Sequence, residues 1–131
     1  MNEHSLQLSV LRSVDRDRYD VVGHEWHVNG TFTQDGVGDI LLKRKHKNKY
    51  VVIEVKFLDM YSTGKTARVR RNRHRKKVKE QAWKYGSLVH SKHTNSSVLV
   101  CIYTNEIGGN VLGKIGKSGT VTHYTRQSLK L

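Results

Sequence analysis

Apolar positions fall into seven groups along the chain, and their spacing differs from group to group. Within residues 3–18, Leu6, Val10 and Val14 recur every four residues and Leu11 fills the same side, which predicts an amphipathic helix. Residues 19–28 (YDVVGHEWHV) predict a strand, closed by the turn signal Asn29-Gly30 and the polar loop GTFTQDG at 30–36. Residues 37–44 (VGDILLKR) predict a second strand, and HKNK at 46–49 a tight polar turn. Residues 50–58 (YVVIEVKFL) are the strongest strand signal, rich in β-branched and aromatic residues. After a loop at 59–67 carrying Gly64, Val78, Ala82, Tyr85 and Val89 follow at spacings of 4, 3 and 4, which predicts a long helix over 69–90. SVLVCIY at 97–103 is an unbroken apolar run, as expected of a strand covered on both faces. A Gly-rich stretch at 108–119 and one further strand at 120–125 (TVTHYT) read as an appendage.

The order helix, three strands, helix, strand predicts an α/β fold, more exactly an α+β arrangement around one mixed sheet. The first three strands can form an antiparallel meander, and the fourth, reached by a helical crossover, should run parallel to a neighbour. A chain of 131 residues is expected to form one domain, with a core at 3–103 and the appendage at 104–131. No apolar run approaches the roughly 20 residues that span a bilayer, and the start of the chain lacks the basic and apolar blocks of a secretory signal. The single cysteine, Cys101, excludes an internal disulfide framework and a zinc site of several thiolates. A reducing, intracellular setting, nuclear or cytoplasmic, is the expectation.

Charge changes this picture most. Lys and Arg total 24 against 11 Asp and Glu, a formal net charge of +13. A small domain this basic repels itself unless an anionic partner neutralises it. Nucleic acid is the expected partner and an anionic membrane surface its rival; the reading adopted is nucleic acid, DNA before RNA, and no membrane. The charge is concentrated in RVRRNRHRKKVK at 68–79, where eight of twelve residues are Lys or Arg. Such a run tracks phosphates or serves as a nuclear import address, and its alternative is a solvated helix face.

With so few carboxylates, placement matters. Asp15, Asp17, Asp20, Asp35 and Asp59 fall in loops or near the first helix, whereas Asp39 and Glu54 fall inside strands. A carboxylate in an apolar strand is costly without a partner. Alternation puts Glu54 and Lys56 on one face of their strand and Ile53, Val55 and Phe57 on the other. Asp39 lies on the preceding strand across a short turn, so the three groups can meet. A triplet of either acidic residue, any residue and Lys carries nothing alone, since composition yields about one by chance; the position of Glu54-x-Lys56 in the best strand gives it weight. The alternative is a buried Glu–Lys ion pair bracing the sheet. Paired carboxylates repel, and a hard divalent cation, Mg²⁺ with Mn²⁺ as substitute, relieves that repulsion. Such an ion acidifies a bound water and offsets phosphoryl charge. Lys56 beside it would orient the water and stabilise developing negative charge.

GDILLKRKHKNKYVVIEVK at 38–56 resembles the signature of the PD-(D/E)XK nuclease superfamily, and the element order resembles its restriction-endonuclease-like αβββαβ core, over roughly residues 3–103. The resemblance implies that Asp39, Glu54 and the carbonyl of Val55 hold the metal and that Lys56 is the catalytic lysine. Gly38 stands where the motif has proline. QAWKY at 81–85 is similar to the Q-x-x-x-Y motif of nucleases related to lambda exonuclease and RecB-type nuclease domains. By that likeness Gln81 contacts the active-site water or scissile phosphate and Tyr85 the nucleic-acid backbone; the plainer reading is a boundary Gln81 and a core Tyr85. Many members add a carboxylate from the first helix, for which Glu3 and Glu25 are the candidates.

The reading that joins these features is a Mg²⁺-dependent nuclease hydrolysing phosphodiester bonds in DNA, with Arg68, Arg70, Arg71, Arg73, Arg75 and Lys76 gripping the backbone. A non-catalytic nucleic-acid-binding module and a ribonuclease on the same scaffold are the alternatives. The Q-x-x-x-Y motif leans toward an end-processing exonuclease, and the small size toward an endonuclease, working as a homo-oligomer such as a dimer. Gly64-Lys65-Thr66 and Gly116-Lys117-Ser118 lack the earlier glycine of a phosphate-binding loop. His24/His27 and His90/His93 lack a third ligand, Cys101 reads as inert core, and Trp26 and Trp83 as core.

Overall fold

A computed structural model describes the backbone of residues 2–27 and 37–131; of these, the side chains of 24–27 and 37–39 lie outside the described set. The turn and loop expected at 29–36, and the side chains of Asp39 and Glu25, therefore fall outside it. The fold is mixed α/β: two helices and a six-stranded mixed sheet.

Helix α1 spans Glu3–Ser13. Asn2 caps it, its Oδ1 accepting from the Ser5 amide at 2.8 Å, and Glu3 in the first turn complements the helix dipole. The helix stops earlier than the spacing predicts because Val14 turns extended and 15–18 form a turn. Val14 stays buried nonetheless. Strands β1 (Tyr19–His27), β2 (Val37–Arg44) and β3 (Lys49–Lys56) form the expected antiparallel meander. Helix α2 (Lys65–Lys92) returns the chain to β4 (Ser97–Thr104), which pairs parallel to β3 from Lys49↔Ser97 to Lys56↔Thr104.

The Gly-rich tail is the main departure from expectation. It is not an appendage: β5 (Gly108–Ile115) and β6 (Val121–Ser128) extend the sheet, in the order β1-β2-β3-β4-β5-β6. The glycines that suggest a loop mark close approach. A Cβ on Gly113 would collide with the Thr122 carbonyl oxygen and lie 2.7 Å from the Trp83 ring, so the glycine lets Trp83 of α2 lie against β5.

Two apolar clusters lie on opposite faces, as period-two alternation requires. Val52, Val98, Val100 and Ile102 pack under Val78, Ala82, Tyr85 and Val89 of α2. Val51, Ile53, Val55 and Cys101 pack under Leu6 and Val10 of α1. Cys101 is buried core, and burial pushes its thiol pKa up.

Candidate functional site

The candidate site lies at the C-terminal end of β3. Val55 sits in the α1-side cluster, so Glu54 and Lys56 point to the α2 side, as alternation predicts. Glu54 is 5% exposed, while the Lys56 side chain keeps 34% of its surface. The pairing Ile40↔Ile53 makes Asp39 and Glu54 the next residues along the two antiparallel strands. Backbone register thus brings the positions of both strand carboxylates together.

The first helix reaches this place as well. The start of α1 lies beside the end of β3: Glu3 Oε1 accepts from the Phe57 amide at 3.3 Å and lies 3.7 Å from Lys56 Nζ. Of the two helix or strand candidates for an additional carboxylate, Glu3 is the one among the described side chains, and it touches the lysine. Past the site the chain is clamped. Asn105, in the turn after β4, donates from Nδ2 to the Leu58 carbonyl at 2.9 Å and accepts from the Leu58 amide at 2.7 Å. Leu58 is wholly buried, so this side chain acts as a missing strand partner and fixes the exit of β3.

Helix α2 covers the site from above. Arg75 donates from Nε and Nη2 to the two carboxylate oxygens of Glu106 in the β4–β5 turn, and a Cβ on Gly86 would meet Val100 of β4 and Ile115 of β5. That edge of the helix therefore faces β4 and β5. At 100° per residue, His74, Gln81 and Tyr85 fall toward the opposite edge, over β3. His74 is half-buried, and its pKa is lowered by burial first and then by Lys56, Arg70, Arg73 and Lys77. Gln81, also half-buried, lies two helical turns, about 10.5 Å, further on. Glu54 lies about 6.6 Å back along β3 from Lys56, in the same direction because the helix runs against the strand. From His74 to Gln81 the helix edge thus runs in the direction that leads from Lys56 to Glu54. Tyr85 is 6% exposed and belongs to the core cluster; packing accounts for this side chain, in place of the contact with a nucleic-acid backbone that the motif implies.

The basic run divides by role. Arg71 donates from Nη1 to the Asp59 and Ser62 carbonyls at 3.1 and 2.8 Å, which closes the loop before α2. Arg75 is held by Glu106 and Asn72. Arg68, Arg70, Arg73 and Lys76 are exposed. At 28 residues α2 is about 42 Å long, against about 26 Å for an eight-residue strand, and its basic N-terminal part overhangs the end of the sheet where Lys56 lies.

Three elements of the site have no strong sequence signal. His74 is hidden in the charge run, and only its seven-residue spacing to Gln81 points to a shared helix edge. Asn105 and Glu106 follow the last apolar residue of β4, where polar residues usually signal nothing but a turn. His90 and His93 are engaged locally: the His93 ring stacks on Tyr50, and His90 Nε2 lies 3.2 Å from the Lys117 carbonyl oxygen. Among the described residues no group of three or more His, Cys, Asp or Glu gathers as for a metal, and no helix is long and apolar enough to cross a membrane. Comparison with protein-family models, curated proteins and solved structures yields no match.

Proposed function

We propose that this chain is a divalent-metal-dependent nuclease on a restriction-endonuclease-like αβββαβ core, hydrolysing phosphodiester bonds in DNA. One observation carries the reading: the β2–β3 register makes Asp39 and Glu54 adjacent positions, two residues before Lys56 on the central strand. Neighbouring hard oxygen donors suit Mg²⁺ or Mn²⁺ better than a soft metal. Asp39, Glu54 and the Val55 carbonyl would hold the ion, and the chemistry it supplies when bound is an acidified water with relief of charge on the phosphoryl oxygens.

The protein's own groups do the rest. Lys56, positioned by Glu3 and by the clamp on Leu58, orients the attacking water and offsets charge on the phosphate. Gln81 hydrogen-bonds the water or a phosphate oxygen. Arg68, Arg70, Arg73 and Lys76 on the overhang hold the backbone, and Arg71 and Arg75 keep the overhang fixed.

The test is cleavage of circular single-stranded and linear duplex DNA with Mn²⁺. Glu54→Gln and Lys56→Ala should each lower the rate at least about a hundredfold, while DNA binding stays within threefold, and EDTA should abolish cleavage. Products from the circular strand identify an endonuclease. Unaltered cleavage in both variants contradicts the assignment. Salt-sensitive binding with no products from DNA or RNA replaces it with a non-catalytic module.

A further inference from the structure

The other end of β3 carries a second concentration of positive charge, on the opposite face. The sheet register lays out a row across five strands. Tyr19 of β1 pairs with Arg44 of β2. Arg44 and Lys49 are the next residues beyond the Lys43↔Tyr50 pair. Lys49 pairs with Ser97 of β4, and Leu99 of β4 with Lys114 of β5. Lys49 shares its face with Val51, on the α1 side. Among the described residues helix α1, only 11 residues long, leaves this end of the face open. There Tyr19, Arg44, Lys47, Lys49, Leu99 and Lys114 help line an open cleft of about 330 Å³.

The cleft's lining contains four cations and no carboxylate. Among the described residues, none of these four cations takes part in an ion pair, whereas Arg18, Lys45, Lys56 and Arg75 do. Like charges held together in this way raise the free energy of the empty cleft, and an anion lowers it. The floor is not simply polar. Arg44 lies over the Tyr19 ring at 5.4 Å, and Val51 and Leu99 add apolar surface. Rings and guanidinium planes stack unpaired bases, and ammonium groups meet phosphates.

We propose that this row binds a segment of single-stranded nucleic acid, at a site separate from the nuclease site. From β1 to β5 the row runs about 19 Å at roughly 4.8 Å per strand, the axial length of five to six stacked nucleotides at about 3.4 Å each. Lys49 and Lys56 are seven residues apart on β3, about 23 Å, and face opposite sides, so the segment gripped here is not the one at Glu54. The inference rests on charge and register and does not depend on the nuclease reading.

The test is fluorescence anisotropy of a labelled 12-mer oligothymidylate and of a 12-base-pair duplex, in EDTA so that cleavage plays no part. Lys49→Glu/Lys114→Glu should weaken single-strand binding at least tenfold and make the salt dependence shallower by about 1.4 in log–log slope. The control is Lys92→Glu/Lys117→Glu, with the same change in charge at the same end of the sheet. His90 lies against the Lys117 carbonyl oxygen, which puts that residue on the α2 side. This control should cost less than threefold. Equal losses in the two pairs overturn the proposal in favour of a diffuse field. A larger loss for duplex than for single strand, or displacement of the oligomer by thymidine monophosphate at equal phosphate concentration, also overturns it. Single-strand binding retained in Glu54→Gln is expected whether or not that residue serves catalysis, so the two readings fail separately.

Discussion

From residue 78 onward α2 buries Val78, Ala82, Tyr85, Gly86 and Val89 against the sheet, whereas over residues 65–77 it buries Ala67 alone and carries most of the basic run. The two halves of this helix answer to different physics. The C-terminal half is held by apolar area removed from water, the ordinary source of helix stability in a folded domain. The N-terminal half breaks the usual rules. Its first turn has no acidic residue, its cap Gly64 supplies no side-chain hydrogen bond, and cations crowd the positive end of the helix dipole. Helix α1, with Asn2 and Glu3, follows the same rules closely. The overhang is thus poorly explained by folding and well explained by an anionic partner outside the fold.

The largest expected effect separates the halves by stability. Tyr85→Ala should destabilise the fold by about 3–5 kcal/mol in urea unfolding, as for other buried aromatic residues. Arg70→Ala or Arg73→Ala should change stability by no more than about 0.5 kcal/mol in either direction. A large loss from either arginine would place the overhang in the folded core's account. Next in size, replacing Arg68, Arg70, Arg73 and Lys76 together by Ala should lower duplex affinity about a hundredfold and reduce the log–log salt slope by about 3–4, read by anisotropy over a salt series.

A smaller effect concerns the Arg75–Glu106 pair, which ties the overhang to the β4–β5 turn. The Arg75 hydrogen bond, then its charge, holds the Glu106 pKa below the usual carboxylate value, and that of Arg75 is raised in turn. A depressed carboxylate pKa contributes stability that is present above the unfolded value of 4.5 and is lost as pH falls through the folded one. Glu106→Gln should therefore flatten the fall in stability below about pH 4.5, by less than about 1 kcal/mol for a partly exposed pair. Unfolding curves between pH 3 and 6 read this directly. The smallest is His74: its NMR titration midpoint should lie below 6.5 and move up in Lys56→Ala. The sign follows from linkage: because folding lowers this pKa, the stability it contributes is present above pH 6.5 and declines as pH falls from there toward the folded midpoint. A midpoint insensitive to Lys56 would separate the helix edge from the strand end.

The sequence was most legible where one period ran without interruption. The alternation around Glu54 and the 4-3-4 spacing of Val78, Ala82, Tyr85 and Val89 place β3 and α2 on their faces. Parallel pairing of β4 with β3 follows from the helical crossover between them. The tail misled because glycine signals both a turn and a close approach, and only the position of Trp83 over Gly113 decides between them. Within the candidate site, Glu54 and Lys56 stand out because their types clash with their strand. Glu3 is fixed only once α1 is docked, and Asn105 only once the exit of β3 needs a partner. Contacts made across the fold leave little trace in local spacing.

The claim on which the account turns is that Asp39 and Glu54 share one divalent ion. Titration of the protein with Mn²⁺, followed by the loss of the free-ion paramagnetic resonance signal, tests it without reference to activity. The expected result is one site that Asp39→Asn and Glu54→Gln each weaken at least tenfold and that Asp17→Asn, on an exposed turn, leaves unchanged. Binding of equal strength in all four proteins, or none in any, would contradict it.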